Sequence, residues 1–140
     1  METKKYLGQI DRLDKMIQNK LSEIYQLKTM ACSVSVSNEG ERVQTSPDMD
    51  RLGSVVAKII DLENETDALV DTFVDRRSHI ISQIDSMENV DYYHILSLRY
   101  VHMKTFDYIA KKTNWSIRKV FSLHGEALLE FERLYGQEYL

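Results

Sequence analysis

Apolar residues between Tyr6 and Ala31 fall at Ile10, Leu13, Ile17, Ile24, Leu27 and Ala31, alternating steps of three and four once Lys20 takes a seam position. Leu21 widens the stripe. This spacing predicts one long amphipathic helix, with Asp11, Arg12, Asp14, Lys15, Gln18, Asn19 and Glu23 on its wet face. From Cys32 to Pro47 the period breaks into alternating Ser and Val, then Asn38–Gly40. Ser and β-branched residues are poor helix formers and the Asn–Gly stretch is a turn signal, so residues 32–47 read as a connector. Ser46 can cap a second helix whose first position is Pro47, where the missing N–H costs nothing.

That second helix carries Leu52, Val55, Ile59, Leu62, Thr66, Leu69, Phe73, Arg76 and Ile80 in three-four spacing and can run to Met87. At ~1.5 Å per residue the two helices would be roughly 40 and 60 Å long. Folded back as an antiparallel hairpin, they leave the second overhanging by about three turns. Ile80, Ile81, Ile84 and Met87 in the overhang need a cover, either the C-terminal part of the chain or a second copy, and are the expected oligomer or partner contacts.

After residue 88 the pattern restarts as three shorter helices with tight joints. Thr105 can cap the middle one, with Asp107 in its first turn, and Ser116 the last, after the joint Thr113–Ser116. Ile109 and Ala110 lie on a supporting helix, and Val120 and Leu123 face the core. The opposite side of the last helix then shows Ile117, Arg118, Lys119, Phe121 and Ser122, which is the logic of a helix-turn-helix. The expected fold is all-α: a hairpin arm over 1–87 and a helix-turn-helix domain over 88–140.

Composition fits that reading. Five Gly and one Pro in 140 residues leave long helices uninterrupted. No run approaches ~18 apolar residues, so no membrane partner is expected. Cys32 is alone, and His79, His94, His102 and His124 lack metal-ligand spacing, so neither a disulfide nor a metal site is expected. No phosphate loop or nucleophile motif appears, so neither enzyme chemistry nor a cofactor is expected. The acidic residues Asp61, Glu63, Glu65, Asp67, Asp71 and Asp75 read as a solvated stripe.

The net charge of −4 argues at face value against binding nucleic acid. Its distribution reverses this. Residues 99–124 hold six Lys and Arg against one Asp, a local +5, which leaves −9 for the rest of the chain. A basic end and an acidic arm point the C-terminal end alone at DNA.

The run from Tyr93 to Arg133 resembles region 4 of bacterial sigma factors, through Leu98-Arg99-Tyr100, Ile109-Ala110, Ser116 with Val120, and Ala127-Leu128. With the long helical first half and the connector Arg42-Val43-Gln44-Thr45-Ser46-Pro47, the whole chain is similar to small phage and prophage proteins of Gram-positive bacteria related to the ArpU and RinA late-transcription regulators. The resemblance implies a cytoplasmic transcription regulator in a bacterial host, with double-stranded DNA as partner and the arm making a homo-oligomer or contacting RNA polymerase. It assigns Ile117, Arg118, Phe121 and Ser122 to base edges. Arg118 suits guanine, Ser122 a less selective bond, and Ile117 and Phe121 a thymine methyl. Arg99, Lys104, Lys111, Lys112, Ser116 and Lys119 are the phosphate candidates. Arg99 also reads as a cation at a helix end, and Trp115 as a core residue of the turn. Two of the four base-facing residues are apolar, a departure from the sigma pattern. It points to an operator other than the usual −35 element, or to a recognition helix turned protein-contact surface.

Overall fold

The computed structural model describes the backbone of residues 1–39 and 46–140, and side chains for 1–33 and 50–140. Every regular element among the described residues is helical: α1 (Glu2–Leu7), α2 (Gln9–Glu39), α3 (Ser46–Asp85), α4 (Val90–Leu96), a π-helical turn (Ser97–Val101), α5 (Phe106–Thr113), α6 (Ile117–Tyr135) and a final 3-10 turn (Gly136–Glu138). None of the helices described is long and apolar enough to cross a membrane.

The helix expected to end near Ala31 continues to Glu39, so the first part of the expected connector is helical. Ser and Val cost only ~0.5 kcal/mol each in a helix relative to Ala, too little to end one that is already propagating. Residues 40–45 and the side-chain cap expected of Ser46 lie outside what is described. The helix that follows does begin at Ser46.

The chain divides into two compact units, and they are not successive in sequence. One comprises residues 14–72; the other joins residues 1–13 to 73–140. The sequence division at 87/88 therefore does not match the packing. In the unit of residues 14–72, Ile24 of α2 packs with Val55 and Ile59 of α3, flanked by Leu27, Ala31 and Leu62. Two ion pairs tie the same helices, Lys20 to Glu65 at 3.2 Å and Lys28 to Glu63 at 3.6 Å. All four side chains are substantially exposed, so these pairs fix register more than they stabilise.

The second unit, here the head, has a larger core. Leu7, Ile10, Ile80, Ile84, Ile95, Leu96, Ile109, Val120, Leu128 and Phe131 are essentially inaccessible to solvent. Ile80, Ile84 and Met87, expected as partner contacts, are thus buried within their own chain, and Ile81 is half-buried. The cover for the overhang comes from α4, α6 and α1, because a 0% exposed isoleucine stripe is satisfied at less entropic cost within a chain than between chains.

Polar contacts bind the two chain ends into this core. The Tyr6 hydroxyl donates to Gln83 Oε1 at 2.7 Å, Gln83 Nε2 donates to Glu138 Oε2 at 2.8 Å, and His79 Nε2 lies 3.0 Å from that oxygen. Thr3, fully buried, donates to Glu132 Oε2 at 3.2 Å and lies 3.0 Å from the Tyr139 hydroxyl. The bond network holds the Glu138 carboxyl below the usual carboxylate range, chiefly through His79, and burial pushes the Tyr6 phenol up.

Candidate nucleic-acid interface

The surface that the sequence assigns to DNA is built by α5, a short joint and α6. Thr105 is the N-cap of α5, its Oγ1 accepting from Tyr108 N at 3.1 Å, and Ser116 is the N-cap of α6, its Oγ accepting from Lys119 N at 3.1 Å. Both caps fall where the sequence places them, since capping is local chemistry. The joint turns on Asn114, in the left-handed region at φ 61°, a conformation that Asn tolerates better than most residues. Thr113 Oγ1 stiffens it by donating to Ile109 O at 2.6 Å and accepting from Trp115 N at 3.3 Å.

Helix α6 is two-sided. Val120, His124, Ala127, Leu128 and Phe131 are buried along one face. The other face starts at the N-terminus with Ile117 (42% exposed), Arg118, Lys119, Phe121 (55% exposed) and Ser122, all in solvent. These exposures put the four expected base-facing side chains on one open helix end. Lys111 and Lys112 are exposed on the last turn of α5, and Lys119 Nζ lies 5.3 Å over the Trp115 ring. Trp115 itself is half-buried against the core, with His94 edge-on at 6.2 Å.

Two of the expected phosphate contacts are engaged elsewhere. The Arg99 guanidinium donates from Nη1 to the Lys104 carbonyl at 3.0 Å and stacks 4.2 Å over Phe106, so it holds the loop into α5. That loop needs holding: it follows a π-helical turn and carries Met103 at φ 56°, a strained conformation for a long side chain. Lys104 Nζ lies 4.8 Å over the Tyr108 ring and remains partly exposed. No sequence signal announced the Arg99 contact, since it joins residues whose approach is set by the loop.

Beneath the exposed face lies an aromatic hub that the sequence did not reveal. Phe106 meets Phe121 at 4.9 Å and His124 edge-on at 4.9 Å, and the Tyr100 hydroxyl lies 2.7 Å from His124 Nε2. Phe121 is therefore seated on Phe106 while its outer face stays in solvent. Burial, with Lys4 and Arg99 adding to it, pushes the His124 imidazole down to about 4, and burial raises the Tyr100 phenol. Both stay neutral at pH 7.

An acid-sensitive head follows. His124 titrates near 6.5 in the unfolded chain and at about 4 in the folded one, so between these values the unfolded chain binds more protons. The contribution is complete above pH 6.5, shrinks as pH falls, and is gone by about 4. Allowing for solvent screening, it amounts to ~2 kcal/mol. Urea unfolding followed at pH 7 and pH 4.5 should show this loss, and His124→Gln should remove that part of the pH dependence. An unchanged pH dependence in the variant would mean other groups control it.

Among the described residues no group of three or more His, Cys, Asp or Glu side chains could hold a metal ion. Compared with protein-family models, with curated proteins and with solved structures, the chain finds no match.

Proposed function

We propose that this chain is a sequence-specific DNA-binding transcription regulator of phage or prophage genes, in which α5, the Asn114 joint and α6 act as a sigma-region-4-like helix-turn-helix and α2 with α3 as a hairpin arm. The observation that carries this reading is the open N-terminal end of α6: Arg118, Ser122, Ile117 and Phe121 stand in solvent together, bordered by Lys111, Lys112 and Lys119. An exposed, basic helix end whose far side is buried is what a major groove accepts. Lys111, Lys112 and Lys119 neutralise phosphates and set orientation. Arg118 reads a guanine, and the apolar pair meets thymine methyls. Arg99 acts indirectly, by holding the loop that positions α5.

A gel-shift titration with phage late-promoter DNA at two salt concentrations tests this. Retention that weakens steeply with salt is expected, and no retention at low salt overturns the reading. Arg118→Ala should cost ~1–3 kcal/mol of discrimination between operator and random DNA. Lys111→Ala should instead weaken all sequences alike and reduce the salt slope by about one. Equal losses on every sequence for Arg118→Ala would remove it from base readout.

One observation favours a second reading. Ile117 and Phe121 are large, exposed and adjacent, which suits a protein partner such as RNA polymerase as well as a thymine methyl. Absence of DNA retention together with a stable complex with the polymerase, lost on Phe121→Ser, would select this alternative.

A further inference from the structure

With Ile80, Ile84 and Met87 buried, any self-association needs another surface, and the unit of residues 14–72 has one. Tyr25 is 73% exposed and Ile60 54%, and Leu21, Val56 and Val70 are also in solvent. These residues form a second seam beside the buried one. On α3 the positions Val56, Ile60, Glu63, Asp67 and Val70 advance by four and three in turn; on α2, Leu21, Tyr25, Lys28 and Cys32 do the same. The Lys28–Glu63 ion pair joins one stripe to the other, which puts both on one side of the helix pair. The opposite side is different. Its Lys20–Glu65 pair borders a groove whose floor is Leu27 and Leu62 and whose rim carries Met30 among the polar residues Glu23, Gln26, Lys58 and Asp61.

We infer that the side bearing Leu21, Tyr25, Val56, Ile60 and Val70 is where a second copy of this chain docks, giving a four-helix bundle from two pairs. Two features name the occupant. First, the interior is small for two helices alone: among the described residues of this unit the buried side chains are Ile17, Ile24, Val55, Ile59 and Thr66, whereas helical bundles gain stability by enclosing a seam on every helix. A specific interface needs on the order of 1,000 Å², and the stripes along both helices are the extended apolar surface this unit has to offer toward it. Second, the face complements itself. Ile24 packs on Val55 and Ile59, so their neighbours Tyr25 and Ile60 stand at one height. A two-fold axis along the helices lays α2 of one copy on α3 of the second, sets Tyr25 against Ile60 of the second copy, and brings Lys28 to the second copy's Glu63. The apolar pair Tyr25 and Ile60 and the opposite charges Lys28 and Glu63 thus face each other, as a self-complementary two-fold interface requires.

Self-association would stand whether or not the head binds DNA, and its test uses the full chain without DNA. Size-exclusion chromatography with light scattering at micromolar concentration should give twice the chain mass. The double substitution Tyr25→Glu, Ile60→Glu, which sets like charges against each other across the two-fold axis, should raise the dissociation constant at least about a hundredfold, with helical circular dichroism retained. Met30→Glu, on the opposite side, should leave the dimer intact. As a check independent of altered stability, a photo-crosslinking residue at position 60 should give a covalent dimer and the same residue at position 61 should not. A chain that stays monomeric overturns the proposal, as does a dimer sensitive to Met30→Glu but not to the Tyr25, Ile60 pair, or crosslinking from position 61 alone.

Discussion

Phe131→Ala should cost the head ~3–5 kcal/mol, the range for removing a fully buried aromatic ring. Phe131 is 0% exposed in the last turns of α6, and its ring meets three others: Tyr135 at 5.1 Å, Tyr6 at 6.0 Å and Tyr139 at 6.4 Å. These rings come from α1, from α6 and from the chain's last residues, so no single neighbour can move to fill the cavity. Against a typical total stability of ~5–15 kcal/mol, the loss brings the head close to unfolding. Trp115, the chain's single tryptophan, lies in the head and reports it directly. Its fluorescence in urea should show a much lower midpoint in the variant. A change under ~0.5 kcal/mol would mean that the ring is not part of the core.

Leu7→Ala is the second large effect, at ~2–5 kcal/mol, and it tests how the chain is divided. The sequence places residue 7 in the arm, where its loss would leave the head untouched. In the structure Leu7 is 0% exposed in the same core as Phe131, with Tyr6 stacked 4.3 Å from Tyr139 and bonded to Gln83. Leu7→Ala should therefore lower the Trp115 unfolding midpoint, whereas Leu27→Ala, in the unit of residues 14–72, should leave that midpoint in place. The reverse outcome would return the N-terminal residues to the arm. Gly8 belongs to the same arrangement. It lies between α1 and α2, and a Cβ there would sit 3.0 Å from the Lys4 carbonyl, so a side chain would require the end of α1 to give by a few tenths of an ångström.

Local chemistry was legible in advance. Thr105 and Ser116 cap their helices as read, because a cap depends on a hydroxyl and an amide three residues on. Val120 is buried and Arg118 and Ser122 are exposed, because a 3.6-residue period fixes which side of α6 can be apolar. The contacts of Arg99 were not legible for the complementary reason. Its ring partner Phe106 and its acceptor on Lys104 are near in sequence, but a π-helical turn and a left-handed Met103 bring them to it. Asn114 read only as part of the joint, although Asn just past a helix end is one of the few residues that takes the left-handed conformation it shows at φ 61°.

The sequence by itself determined that the chain is helical, where its long helices repeat their apolar seams, that Thr105 and Ser116 cap their helices, and that the basic charge gathers between residues 99 and 124. Each of these follows from interactions within a few positions along one chain segment. Only the tertiary structure decided which seam meets which. A heptad stripe such as Ile80, Ile84 and Met87 states that it must be covered without stating by what, because burial of apolar surface has no direction and no partner written into it. In this chain the cover is α1, α4 and α6, and that choice draws residues 1–13 into the head. It also leaves Leu21, Tyr25, Val56, Ile60 and Val70 as the apolar side of the other unit.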